Sequence, residues 1–122
     1  MIVENVSDED KGISVKSLQS TIRKLEKALS QMTQKGANTT LVKKRLKAVS
    51  IGLAVLENVW YQKPHSYTQD DLAEARNVLA GLLPSIEKID VKSKVGSPQK
   101  TLIERRMKAL ELAIQAIDNF SC

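Results

Sequence analysis

Residues 40–59, TLVKKRLKAVSIGLAVLENV, lie without a gap over residues 101–120, TLIERRMKALELAIQAIDNF, and the offset of 61 residues that superimposes them cuts the 122-residue chain into equal halves. The same offset carries Leu18 onto Leu79, Ile22 onto Leu83, Leu25 onto Ile86, Glu26 onto Glu87 and Lys27 onto Lys88. It also carries Ser7, which opens an acidic run ending at Asp10, onto Thr68, which opens a similar run ending at Asp71. Heptad patterns resemble one another by chance, but a gapless match over two segments of each half points to a duplicated unit. That unit is too long for a tetratricopeptide or ankyrin repeat, and two copies are too few for a solenoid.

Each half contains two amphipathic stripes. Val15, Leu18, Ile22, Leu25, Leu29 and Met32 form the first, and Val42, Leu46, Val49, Leu53, Leu56 and Trp60 the second. Leu72, Ala75, Leu79, Leu82, Ile86 and Ile89 form the third; Ile103, Met107, Leu110, Ile114 and Ile117 form the fourth. Steps of three and four residues place each set on one side of a helix and suit bundle packing. Ser7 and Thr68 read as N-caps followed by acidic first turns, and Pro98 after Ser97 reads as the first position of a helix. Breaks fall near 35–39, 61–67 and 93–96. Connections this short predict antiparallel neighbours. The expected fold is all-α, an up-down-up-down four-helix bundle of two like hairpins in a single domain, with repeats at 7–60 and 68–121 and residues 1–6 loose. Pro84 interrupts the third helix, where a kink beside Gly81 is expected. Gly52 over Ala113, with Ala48 over Ala109, marks where helices two and four approach closely.

Apolar residues at 42% and charged residues at 27% describe a globular chain, and its few aromatics suit an aliphatic helical core. The single cysteine, Cys122, cannot form an internal disulfide. Without an apolar run of membrane-spanning length or a secretory leader, the expectation is a soluble cytoplasmic protein.

Charge is unevenly distributed. Windows 23–47 and 84–108 hold 15 of the 19 lysines and arginines, with only Glu26, Glu87, Asp90 and Glu104 among them. In an up-down-up-down bundle both windows share one end, which would stand at about +11 against −6 for the remainder. Lys43, Lys44, Arg45 and Lys47, with Lys100, Arg105, Arg106 and Lys108, occupy first turns where the helix dipole disfavours cations. They form the candidate site for an anionic partner. Trp60, Tyr61, Tyr67 and Phe120 would gather at the opposite end as a candidate aromatic interaction patch.

Catalytic and metal chemistry find no support. His65 is the only histidine, expected in an exposed loop. Asp8, Asp10 and Gly12 only faintly resemble a calcium loop, since Gln19 stands where its glutamate belongs. The glycines form no phosphate-cradling cluster, and no cofactor is implied. These features lead to the expectation of a small non-catalytic interaction protein of bacterial type: an adaptor, regulator or immunity-type inhibitor whose basic end docks an acidic protein. A nucleic-acid-associated protein is the alternative, weakened by the absence of aromatics in the basic windows. A homodimer pairing hairpins across chains is a further option.

Overall fold

The computed structural model of the chain describes residues 6–120, the side chain of Phe120 excepted. Four helices account for nearly all of it: α1 (Asp8–Gln34), α2 (Thr40–Tyr61), α3 (Gln69–Lys92) and α4 (Pro98–Phe120). No strand occurs among the described residues, and no helix among them is long and apolar enough to cross a membrane.

Local chemistry sets the helix ends. Ser7 Oγ accepts the Asp10 N–H at 3.2 Å. Thr68 Oγ1 accepts the Asp71 N–H at 3.1 Å, while Asp71 Oδ2 accepts the Thr68 N–H at 3.2 Å, a reciprocal capping box. Ser97 Oγ accepts the Lys100 N–H at 3.2 Å, which starts α4 at Pro98. Gly36 at φ 71° and Gly96 at φ 82° turn the chain at the two hairpin tips, in a backbone region open to glycine at little cost. The α3 helix continues across Pro84 without a break. Of the N-terminal residues expected to be loose, 1–5 lie outside the described residues, whereas Val6 packs against the core.

The topology departs from up-down-up-down. The α2 and α3 helices keep a constant register: Lys47 Nζ lies 3.4 Å from Asp71 Oδ1, Ala48 and Ala75 line the same small cleft, and a Cβ on Gly52 would lie 3.2 Å from Leu79 Cδ1. Residue numbers rise together along both helices, so α2 and α3 run in the same direction. Within the second hairpin numbers run oppositely, with Arg76 bonded to Asp118 at 2.9 Å and Lys100 to Asp90 at 3.0 Å. The start of α1 lies beside the start of α4, where Asp10, Ile13 and Ser14 share a cleft with Thr101, Glu104, Arg105 and Lys108.

The two hairpins therefore lie head to tail. The 93–97 tip is at the pole where α1 begins, and the 35–39 tip is at the other end of α1, about 40 Å away at 1.5 Å per residue. The physical reason lies in the 62–68 connection. Gln62 adopts a left-handed conformation at φ 56°, its N–H bonding Asn58 O at 3.0 Å, and the chain then doubles back in non-helical form before α3 starts.

The core follows from this arrangement. The α2 and α4 helices pack on each other as well as on both outer helices, whereas α1 and α3 do not meet. Both inner helices consequently bury a second face absent from the single-stripe reading: Ile51 and Val55 on α2, Leu112 and Ala116 on α4, all at most 1% exposed. Small residues permit this contact, since a Cβ on Gly52 would sit 3.1 Å from that of Ala113. Ile89, expected in the core, is instead exposed.

Burial repeats with the sequence offset. Ser14 and Ala75, Leu18 and Leu79, Ala48 and Ala109, Val49 and Leu110, Ile51 and Leu112, Gly52 and Ala113, Val55 and Ala116, and Leu56 and Ile117 are all buried in matching places; only Leu72 and Ile103 lack a buried counterpart. Gly52 and Ala113, which are themselves counterparts, face each other where α2 crosses α4.

Candidate functional site

Because the tips are at opposite poles, the eight candidate cations do not form one cap. Lys43, Lys44, Arg45 and Lys47 lie at the start of α2, beside the start of α3, where Lys47 pairs with Asp71 and Glu74 lines the same cleft. Lys100, Arg105, Arg106 and Lys108 lie at the other pole. There Lys100 is occupied, its Nζ donating to both Oδ1 and the backbone oxygen of Asp90 at 3.0 Å. The expected single basic end is thus corrected to two separate basic regions.

The aromatic patch is likewise divided. Trp60 and Tyr61 meet edge to face at 6.4 Å at the end of α2. Tyr67 belongs with the start of α3, near the opposite pole, and its ring lies 5.7 Å from that of His65. His65 is half-buried rather than exposed, its Nδ1 accepting the Tyr67 N–H at 3.3 Å. The side chain of Phe120 lies outside the described residues.

A groove between α1 and α4 gathers what the sequence scattered. It has a volume of about 360 Å³ and is lined by Ile13, Lys16, Ser17, Ser20 and Lys24 from α1, and by Leu102, Arg105 and Arg106 from α4. Four of these side chains are cationic and none is acidic. Helical spacing explains the α1 wall, since positions 13, 16, 17, 20 and 24 share one face over three turns. Leu102 is 60% exposed, so the groove joins an accessible apolar surface to its charges. Arg106 is half-buried; its Nε is enclosed and meets no hydrogen-bond partner. Burial draws its guanidinium below the usual arginine range, but arginine stays charged at neutral pH. A buried donor without a partner is costly, so the Arg106 side chain is held there at some expense of stability.

The 61-residue offset supplies an internal comparison. The matching surface between α2 and α3 keeps Leu41, Lys44 and Arg45 in the places of Leu102, Arg105 and Arg106, but has Glu74 for Ile13, Asn77 for Lys16 and Ser85 for Lys24. The groove beside Leu102 is lined by cations without a carboxylate, although Asp10 and Glu104 line the next cleft along the same two helices. Arg105 and Arg106 were among the sequence candidates; Lys16, Lys24, Ile13 and Leu102 were not, because nothing in the sequence states that α1 and α4 are neighbours.

No model of a known protein family, no curated protein and no solved structure matches the chain.

Proposed function

We propose that the protein is a small non-catalytic interaction module whose α1–α4 groove receives an acidic segment of a protein partner. The observation that carries this reading is the wall of Lys16, Lys24, Arg105 and Arg106 around Ile13 and Leu102, with no carboxylate lining the groove. Carboxylates meeting these cations form charge-assisted hydrogen bonds, the strongest class available to side chains. The exposed leucine offers an apolar contact that a phosphate backbone does not use. The recurrence of buried positions at the 61-residue offset supports reading the chain as a duplicated hairpin in which one of two equivalent surfaces was specialised.

The test uses a labelled helical peptide with glutamates at four-residue spacing around a leucine. Lys24→Glu with Arg105→Glu should weaken binding by about tenfold to a hundredfold, as expected for losing one or two charged hydrogen bonds. Lys43→Glu with Lys44→Glu, at the other pole, should leave it nearly unchanged. Equal losses in both variants would reduce the groove to diffuse attraction and defeat the proposal. Nonspecific duplex DNA is the second probe: binding with a steep logarithmic salt dependence, in preference to the peptide, would favour phosphate contact instead.

A further inference from the structure

The cationic groove adjoins a second cleft of about 400 Å³ between the same two helices, and the two clefts share Ile13 and Arg105. Along α1 the charge changes sign across Ile13. Toward the start of the helix stand Asp10 and, from α4, Glu104; further along stand Lys16 and Lys24 with no carboxylate beside them. Asp10, Glu104, Lys16, Lys24 and Arg105 are all exposed, and none of them takes part in an ion pair among the described residues. Glu9, also exposed, adds to the acidic end. The lysines at that end are engaged: Lys11 lies 3.8 Å from Asp8, Lys100 is held by Asp90, and Lys108 interacts within the chain.

This face is complementary to itself. Asp10, Ile13 and Lys16 follow at steps of three residues on one side of α1. A second α1 laid antiparallel about Ile13 therefore brings Asp10 of each copy to Lys16 of the other, with the two isoleucines between them. The same pairing turns the cleft that holds Glu104 toward the cationic groove of the other copy. We infer that the α1–α4 face joins two copies of this chain in a two-fold dimer, the acidic start of α1 in each copy entering the cationic groove of the other. A dimer of this kind rests on the groove's receiving an acidic segment, as proposed above, and supplies that segment from the chain itself. The corresponding surface between α3 and α2 cannot do the same. Asp71, Glu74 and Asn77 stand there in the places of Asp10, Ile13 and Lys16, so α3 offers neither an apolar centre nor a cation, and Asp71 is taken by Lys47 at 3.4 Å. With one self-complementary face per chain, assembly closes at two. The net charge of +5 on each chain opposes association and the contact surface is small, which sets dimerisation on the order of tens of micromolar.

Sedimentation of the full chain from about 10 to about 500 µM should accordingly show a monomer–dimer equilibrium. Lys16→Glu with Lys24→Glu makes both ends of the face acidic, and Asp10→Lys with Glu104→Lys makes both basic. Each variant should keep its helical circular dichroism and self-associate about tenfold or more weakly than the parent, because like charges then meet. Mixed in equal amounts, the two variants should recover a one-to-one dimer. A parent that stays monomeric across that range, or folded variants that fail to pair with each other, would overturn the inference. The labelled acidic peptide tells the two proposals apart: its binding to a strictly monomeric chain would overturn the dimer alone, whereas a chain that neither dimerises nor binds it would remove the groove as well.

Discussion

Gly52 stands where α2 meets α4, and an added Cβ would lie 3.1 Å from Ala113 Cβ and 3.2 Å from Leu79 Cδ1. The leucine methyl can rotate away, but the alanine Cβ is fixed to its backbone, so the helices themselves must part. Overpacking of this kind costs about 1–3 kcal/mol, and the gain in helix propensity from glycine to alanine returns about 1 kcal/mol. Gly52→Ala should therefore destabilise by about 1 kcal/mol, read as a lower urea midpoint with an unchanged slope; a stabilised variant would show that the two helices do not touch here. Asp71 offers a pH test. Its carboxyl is held below the ordinary 3.8, first by the Thr68 backbone N–H and then by Lys47, against an opposing effect of burial. A depressed carboxylate contributes stability that is complete above 3.8 and is lost as pH falls through the lower folded value. Asp71→Asn should accordingly flatten the acid limb of stability in that window, and an acid limb identical to that of the parent would refute the assignment. The caps at Ser7 and Thr68 were legible as residues because a cap acts within four positions of the chain, whereas the Lys47–Asp71 pair joins two helices and was not.

At the level of the helices, apolar periodicity and capping residues located all four elements, with the first starting at Asp8, ahead of its apolar stripe. These signals are local, which is why they could be read. The large side chains of the second buried face, Ile51 and Val55 on α2 and Leu112 on α4, fall outside the single stripes, although Gly52 over Ala113 and Ala48 over Ala109 mark the close approach of the two helices in the sequence. A stripe read for one neighbour does not show that the helix has a second neighbour on another side. The break near 61–67 predicts a short turn, whereas the connection observed at 62–68 is a return path. From Tyr61 back to the level of Lys44 is about 25 Å along the helix axis, and seven residues with their flanking bonds reach about 27 Å when extended. Removing two residues from 64–66 shortens that reach by about 7 Å. The shortened chain should lose about 2 kcal/mol or more, or exchange hairpins between molecules, as seen by urea unfolding and gel filtration. Adding two glycines should cost less than about 1 kcal/mol. A shortened connection with unaltered stability and monomer content would be incompatible with parallel α2 and α3.

For the molecule as a whole, the decisive property is the relative direction of two similar hairpins. Spin labels at Lys35 and Lys94, placed in a Cys122→Ser background, should report a separation of roughly 35–40 Å, the length of a helix of this size. A distance of about 15 Å or less would restore the arrangement with both tips at one pole, and with it the single basic cap. The head-to-tail arrangement disperses the cations, so function is sought in the groove lined by Lys16, Lys24, Arg105 and Arg106. By itself, the sequence determined the helices, their caps, the repeat and the close approach of Gly52 to Ala113, because each depends on residues near one another in the chain or on the size of single side chains. Which way the second hairpin lies against the first was decided only by the tertiary structure. An apolar helical stripe packs against a neighbour of either polarity, and a connection of seven residues can form a turn or run the length of a helix, so only the simultaneous fit of both hairpins around α2 and α4 selects one.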